Sequence, residues 1–168
     1  MHPIVRLARH AVETYIREKR IIALPDDISD EMRQKAGVFV SLKKQGQLRG
    51  CIGTYMPSTE NIAAEVIQNA ISAAVNDSRF YPLEESELDD IQYSVDILGT
   101  PEKVSSPLEL DPKIYGVIVK KGLRKGLLLP DLEGVDSVEE QLRIAKLKAG
   151  ISLEEDVELY RFEVRRYR

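Results

Sequence analysis

The chain has 168 residues, of which 43% are hydrophobic and 31% charged, and its formal net charge is -4 at pH 7. This composition is that of one ordinary globular domain, and the negative charge argues against a dedicated nucleic-acid binder, whose affinity comes mainly from neutralising phosphates. The apolar runs are too short for a bilayer span, the N-terminus has no signal-peptide core, and one cysteine excludes an internal disulfide, so we expect a cytoplasmic protein without a membrane partner.

The first half of the chain is predicted to form two helices and a hairpin. Apolar residues at helical spacing predict an amphipathic helix over 2–20. A strand is predicted over 37–42, and the turn Lys44-Gln45-Gly46 joins it to a partner strand over 48–55. The run Pro57-Ser58-Thr59-Glu60 predicts the start of the second helix, because it supplies capping hydroxyls and a first-turn acid.

The second half is predicted to contain mostly strands. In order these are a half-buried strand over 91–97, a loop over 99–112, a hairpin over 117–119 and 127–129, a helix over 137–150 and a final strand over 160–164. Strands and helices do not alternate regularly, so we predict the α+β class, with a mainly antiparallel sheet and helices packed on it. The chain shows no sequence repeat.

The run Leu48-Arg49-Gly50-Cys51-Ile52-Gly53 is the most informative segment, because it places the only cysteine and two of the ten glycines in an apolar strand. Strict alternation predicts that Arg49, Cys51 and Gly53 share one face. There a cation would favour the thiolate, and glycine would leave room for a ligand. Cys51 is therefore a candidate nucleophile or ligand contact. The alternative is an inert thiol that packs as a small hydrophobe.

A second candidate segment, Asn76-Asp77-Ser78-Arg79-Phe80, follows the second helix. Asp77 is a candidate acid, base or orienting group, and Arg79 a candidate anion clamp. Alternatively, Asp77 caps a turn and Arg79 pairs with it or with the acidic turn that follows. Only His2 and His10 are present, so a histidine base for the cysteine and a metal site are both unsupported, and we predict no metal.

Charge is unevenly distributed along the chain, with basic stretches over 113–125 and 161–168 and an acidic turn over 84–90. Solvated faces and protection of sheet edges explain such stretches. An RNA-binding adaptor is the alternative, but the net charge gives it little support, and nucleic acid is an unlikely partner.

Together, Leu48-Arg49-Gly50-Cys51-Ile52-Gly53-Thr54 and Asp77-Ser78-Arg79-Phe80 resemble the signature of the AMMECR domain family. The match continues in order through Pro82-Leu83, Glu87-Leu88, Ser94-Val95, Leu98, Leu129-Pro130 and Lys148-Ala149-Gly150. The resemblance implies a single domain over 1–168 with a compact two-lobed α+β fold and a cleft lined by the Leu-Arg-Gly-Cys-Ile-Gly strand. The site residues that it carries over are Arg49, Gly50, Cys51, Gly53, Asp77, Arg79, Phe80, Pro130 and Lys148.

The biochemical activity of that family is not established, and the resemblance names no cofactor. It implies the A component of a three-part system, whose other members are a Memo-type protein and a radical SAM protein. The leading hypothesis is a small-ligand-binding or enzymatic component, with an anionic or thiol-reactive ligand held by Arg49 and Arg79 beside Cys51. The alternative is a non-catalytic protein–protein interaction module. A histidine of longer eukaryotic members is absent from Ile114-Tyr115-Gly116-Val117, so a mechanism that needs it is not supported.

Overall fold

The structure, a computed structural model, describes residues 1–168, which form two compact units, Met1–Leu98 with Arg165–Arg168, and Gly99–Val164. Its helices and strands are α1 (Pro3–Glu18), β1 (Val38–Lys44), β2 (Gln47–Thr54), α2 (Ile62–Val75), β3 (Ile91–Leu98), β4 (Glu102–Val104), β5 (Gly116–Lys121), β6 (Arg124–Leu128), α3 (Val138–Ala149), β7 (Glu158–Phe162) and β8 (Val164–Tyr167). Short 3-10 helices lie at Glu31–Arg33, Glu85–Asp90 and Pro107–Glu109. The predicted α+β class is confirmed. None of the helices has the length and apolar character that crossing a membrane requires.

In the first unit, a four-stranded sheet in the order β2-β1-β3-β8 packs against α1 and α2. Alternate residues of β1, Val38, Val40 and Leu42, are fully buried on the helix side. Burying a side chain of this size contributes about 1.5–3 kcal/mol, so this face and the helices on it supply most of the unit's stability. Helix α1 begins where the His2 ring accepts the Ile4 N–H and ends at Lys19, whose φ is 54°.

Helix α2 begins at Ile62, later than predicted, because the expected capping residues bind elsewhere. Asn61 caps the helix by accepting the Ala64 N–H at 2.8 Å. Ser58 and Thr59 instead donate to the carboxylate of Glu65, which lies fully buried in the first turn. Burial alone would raise the pKa of Glu65, but these bonds and one from the Thr54 hydroxyl hold that pKa below its ordinary value. The carboxylate thereby fastens the end of β2 to the helix.

The second unit contains a four-stranded sheet in the order β4-β7-β5-β6, with α3 packed on β5 and β6. The segment 99–112, predicted as a loop, contains β4 and a 3-10 helix. The predicted final strand is two strands, because the ladder is interrupted at Glu163, whose carbonyl accepts the Gly99 N–H at 2.8 Å.

The two units repeat one order of elements: a hairpin, a helix, and a third strand that pairs with the first strand of the hairpin. The second strand of each hairpin contains one glycine that faces the helix of its unit. Gly50 of β2 pairs with Leu42 on β1, and Gly126 of β6 pairs with Val119 on β5. Each lies under a helix: an added Cβ would overlap a helical carbonyl oxygen, that of Ala73 for Gly50 and of an alanine in α3 for Gly126.

This repeat of elements was not predicted, because no sequence repeat accompanies it along the two units. The likeness in sequence is limited to a short run, since Gly37-Val38-Phe39-Val40 precedes the first hairpin turn and Gly116-Val117-Ile118-Val119 the second. Each turn has two residues, but the strands of the first hairpin have seven and eight residues and those of the second have six and five, so a comparison without gaps does not align the two hairpins. The constraint common to both copies is a glycine on which a helix can pack closely.

Replacing Gly50 by alanine is expected to lower the free energy of unfolding by about 1–3 kcal/mol, because the new methyl group would displace α2. Gly99→Ala is the matched control. A Cβ there would lie 3.4 Å from its nearest neighbour, so we expect a change of no more than about 1 kcal/mol. Urea denaturation measures both, and equal values for the two variants would contradict the packing argument.

Candidate functional site

The hexapeptide lies on β2, an edge strand of the first unit's sheet, and contains a β-bulge at Arg49. Leu42 of β1 pairs with Gly50, whereas the next residue, Lys43, pairs with Leu48, so Arg49 is an extra residue in β2. A bulge redirects the side chains around it. The strict alternation that placed Arg49 on the face of Cys51 and Gly53 therefore does not hold at this residue.

Arg49 is held in a two-pronged ion pair with Glu87. Its Nε and Nη2 donate to the two carboxylate oxygens, each at 3.0 Å, and Nη2 also reaches the Pro82 carbonyl at 3.4 Å. Lys44 donates to the same carboxylate at 3.2 Å. Both members of the main pair are mostly buried, with 16% and 15% of their side chains exposed. The hydrogen bond from Arg49 is the chief reason why the pKa of Glu87 falls to about 2.

Asp77 and Arg79 close the free edge of β2 at Cys51. The buried Asp77 carboxylate accepts the Cys51 N–H at 3.0 Å, and it also receives Arg79 Nε at 3.0 Å and Nη2 at 2.8 Å. Arg79 Nη2 reaches the Cys51 carbonyl at 3.5 Å. The hydrogen bond from Arg79 is the main cause that keeps the pKa of Asp77 well below its usual range. The carboxylate and the guanidinium thus replace the strand that an open edge would otherwise invite. Arg79 is thus paired with Asp77, as the second of the two interpretations of this segment predicted.

The second unit carries a matching interaction. Leu127 follows Gly126 on the edge strand β6, as Cys51 follows Gly50 on β2, and its carbonyl accepts Lys148 Nζ at 2.8 Å. Lys148 therefore protects a sheet edge, a role that its place in the family resemblance did not reveal. Pro130 lies two residues beyond Leu128, the last residue of β6, and its missing N–H prevents the strand from continuing further.

Phe80 lies between the two arginines of the first unit. The guanidinium carbons of Arg49 and Arg79 are 6.0 and 5.5 Å from its ring centre, a cation–π geometry. The next residue, Tyr81, is 90% exposed, and 57% of the Arg79 side chain is exposed. The structure therefore brings Arg49, Cys51, Asp77, Arg79 and Phe80 into one cluster, while Pro130 and Lys148 belong to the second unit.

The Cys51 thiol is half-buried and lies 3.2 Å from the Ser41 hydroxyl. Ser41 is also the register partner of Ser94, so a row of three small polar side chains crosses β2, β1 and β3. Burial raises the pKa of the Cys51 thiol, and the Ser41 hydrogen bond and the Arg79 charge offset this only in part. The thiol is protonated at neutral pH, which is the opposite of an activated nucleophile.

The two glycines of the motif leave no room for a ligand, contrary to the prediction. An added Cβ at Gly50 would overlap the Ala73 carbonyl, and one at Gly53 would overlap the Phe39 ring. Glycine is needed at both positions because protein atoms already occupy the space. Direct ligand contact through Gly50 or Gly53 stays a prediction, and free space beside these glycines no longer supports it.

Sequence reasoning missed Glu87, Lys44 and Ser41. Glu87 lay within the matched family pattern, but no local spacing identifies it as the partner of Arg49, which lies 38 residues away along the chain. Ser41 could have been found from the sequence, because it is a hydroxyl residue inside an otherwise apolar strand run, between Val40 and Leu42. The structure shows no group of three or more His, Cys, Asp or Glu side chains that could hold a metal ion.

Many residues of the basic stretches pair with carboxylates of their own unit. The ion pairs are Lys113–Asp136, Lys121–Glu155, Arg124–Glu155, Arg161–Glu102, Arg165–Glu31 and Arg166–Asp96. Phosphate binding would compete with these pairs, and this weighs against the RNA-binding alternative.

Alkylation of Cys51 is expected to be slow in the folded protein, with a midpoint above the value of about 8.5 of an ordinary thiol, because burial disfavours the thiolate. Ser41→Ala is expected to raise the midpoint further by removing a hydrogen bond to sulfur. Iodoacetamide rates across pH, beside a denatured control, measure this. A midpoint well below that of the denatured control would instead identify an activated thiolate.

Glu87→Gln is expected to lower the free energy of unfolding at pH 7 by roughly 2–3 kcal/mol, since the folded-state pKa of about 2 lies below the usual 4.5. A carboxyl with a depressed pKa stabilises the fold above its unfolded pKa. The difference between the variant and the parent protein should therefore shrink as the pH falls from about 4.5 to about 2.

Urea denaturation at several pH values tests this. The control is Glu85→Gln, because Glu85 is 68% exposed and its pair with Arg17 is 3.6 Å long, so we expect a cost below about 0.5 kcal/mol. A difference for Glu87→Gln that does not change with pH would show that its carboxylate is not held as described.

Comparison with known proteins identifies the family of the chain. The AMMECR1 family model matches residues 5–167. A protein of Thermotoga maritima is 56% identical over 99% of this chain and 98% of its own length. A Clostridium acetobutylicum protein is 54% identical over 99% of this chain, which spans only 36% of that longer relative. The crystal structure of an uncharacterised Pyrococcus horikoshii protein superposes with a TM-score of 0.91 at 35% identity, covering 97% of this chain and 88% of that one. The chain belongs to the AMMECR1 family.

Proposed function

We propose that this protein is a non-catalytic interaction module that docks a partner protein on the surface formed by Arg79, Phe80 and Tyr81, here called the Arg79–Tyr81 surface. The observation that carries the proposal is the clamp on Phe80. Two guanidinium groups, each fixed by a carboxylate, hold the ring, and the exposed Tyr81 follows it directly. A surface fixed before binding loses little conformational entropy when a partner docks.

The chemistry of the cluster supports docking over catalysis. The Cys51 thiol is protonated, and the Asp77 carboxylate binds the Cys51 backbone N–H rather than its sulfur. Both guanidinium groups are already neutralised, so an anionic ligand would have to compete with Glu87 or Asp77. Tyrosine and arginine, in contrast, are among the residues that contribute most to protein interfaces.

The Clostridium acetobutylicum relative adds independent support. This chain spans about a third of that relative, so the relative carries a further covalently attached segment. We propose a Memo-type or a radical SAM protein as the partner, in line with the three-part system implied by the family resemblance. A cytoplasmic location suits this proposal, since a single free cysteine fits a reducing compartment.

Binding of purified Memo-type and radical SAM proteins from the same organism tests the proposal, with biolayer interferometry as the readout. Tyr81→Ala and Arg79→Gln are expected to weaken the binding of one of them at least roughly tenfold, because each removes an interface anchor.

Two exposed residues of the second unit serve as matched controls. Leu108 is 94% exposed, and the Arg143 side chain is 44% exposed, so Leu108→Ala and Arg143→Gln should leave the affinity unchanged. Failure of both proteins to bind the parent chain would contradict the proposal, as would unchanged affinity of Tyr81→Ala. A co-purifying anion that is lost in Arg49→Ala would favour the ligand-binding hypothesis instead.

A further inference from the structure

Strand β8 belongs to the first unit's sheet, but along the chain it is separated from the rest of that unit by the whole of the second unit. Its place beside β3 therefore depends on non-covalent contacts. One residue, Glu163, lies between β7 and β8, and its carbonyl accepts the Gly99 N–H at 2.8 Å. Because this bond holds the chain just before β8, a movement of β8 would be confined to the residues after Glu163.

Strand β8 contributes little to the core of its unit. None of its four residues is buried, whereas Val38, Val40 and Leu42 of β1 are fully buried in the same sheet. Even β4, the three-residue edge strand of the second unit's sheet, buries Val104. Of β8, Tyr167 packs against the core and is only half-buried. Buried apolar area is what makes a strand costly to detach, so detaching β8 would leave the core packed.

An ion pair with β3 is the main interaction that holds β8. Arg166 contacts the buried Asp96 carboxylate with two nitrogens, Nε at 2.8 Å and Nη2 at 2.9 Å. A buried carboxylate that loses its counter-charge is strongly destabilising. The pair therefore favours the state in which β8 lies beside β3.

The other contacts of β8 are made by polar and aromatic side chains. Glu31 accepts the Tyr167 hydroxyl at 2.8 Å and forms an ion pair with Arg165, also at 2.8 Å. The Tyr167 ring stacks on the His2 ring, with the ring centres 4.0 Å apart. Strand β8 is thus fastened to the 3-10 helix at Glu31–Arg33 and to the start of α1, as well as to β3.

We propose that β8 is a strap that detaches from β3 while the rest of the first unit stays folded. Segments with few buried apolar contacts open at a lower free energy than the core does. Detachment leaves the outer N–H groups of β3 unpaired, and such an edge can pair with another extended segment. The strap uses none of the residues of the Arg79–Tyr81 surface, so it stands independently of the proposed function.

The register of β3 shows which of its N–H groups the strap covers. The Leu98 N–H donates at 3.0 Å to the residue just before β1, and the direction of the N–H groups alternates along a strand. The N–H groups of Ser94 and Asp96 therefore point toward β1, and we call them the β1-facing pair. Those of Val95 and Ile97 point toward β8, and we call them the β8-facing pair.

Amide hydrogen exchange of the isotope-labelled full chain, followed by NMR at several low urea concentrations, tests the proposal. We expect the β8-facing pair to exchange at least roughly tenfold faster than the β1-facing pair. We also expect its exchange to depend less on urea, because detaching a short strand exposes less surface than unfolding the unit.

Variants test which side chains fasten the strap. Arg166→Gln is expected to raise the exchange rates of the β8-facing pair roughly tenfold, because Asp96 loses its counter-charge. Tyr167→Phe removes only the hydroxyl bonds to Glu31, so we expect a rise of roughly threefold, and this milder variant carries the same test if Arg166→Gln does not fold. Arg143→Gln is the control, because it breaks an exposed ion pair in α3 and should leave these rates unchanged.

Three results would overturn the proposal. Equal rates and equal urea dependence of the two pairs in the parent chain would show that β8 leaves only when the whole unit unfolds. Unchanged rates of the β8-facing pair in both β8 variants would show that these side chains do not fasten the strand. An equal rise in the control variant would show that the exchange reports general destabilisation.

Discussion

The first unit depends on how the free edge of β2 is closed. An edge strand presents N–H and C=O groups that water or another strand must satisfy, and at Cys51 both groups are satisfied by side chains from the segment after α2. Asp77 accepts the N–H and Arg79 donates to the carbonyl, while the two form a charged pair with each other. The hydrogen bond from Arg79 is the main cause of the low pKa of Asp77, because a charged acceptor forms stronger hydrogen bonds than a neutral one. The interaction fixes the segment that carries Phe80 and Tyr81.

A second constraint, the close packing of a helix on a glycine, applies to both units. Gly50 and Gly126 allow α2 and α3 to approach the edge strand until a helical carbonyl lies where a Cβ would be. In each unit a cation at or beyond the end of the helix then donates to the carbonyl of the residue after the glycine. In the first unit Arg79, which follows α2, donates to the Cys51 carbonyl. In the second, Lys148, in the last turn of α3, donates to the Leu127 carbonyl. The repeat therefore preserves a packing arrangement, while the chemistry differs, since Cys51 corresponds to Leu127.

The charges of the cluster decide how its residues can act. Arg49 and Glu87 form a partly buried, two-pronged ion pair in which each side chain holds the other in place. Removing either partner would leave the other desolvated and without a counter-charge. Arg49 and Arg79 are thus each held by a carboxylate, with the Phe80 ring between them. A family signature composed of charged residues, glycines and a cysteine suggests catalysis when read along the sequence. In the folded chain, the same residues satisfy one another.

The sequence by itself determined the α+β class, the amphipathic α1, the first hairpin and the family, because periodicity, turn glycines and an ordered series of motifs are local properties. A short shared run, Gly37-Val38-Phe39-Val40 and Gly116-Val117-Ile118-Val119, begins both hairpins, but it is too short to predict the repeat of elements. Only the tertiary structure decided the partners of the motif residues. The ion pair of Arg49 with Glu87 joins distant segments, and the bulge at Arg49 depends on pairing with β1. The groups that a Cβ at Gly50 or Gly53 would meet, the Ala73 carbonyl and the Phe39 ring, come from α2 and β1. Contacts between distant segments follow from register and packing, which no spacing along one strand encodes.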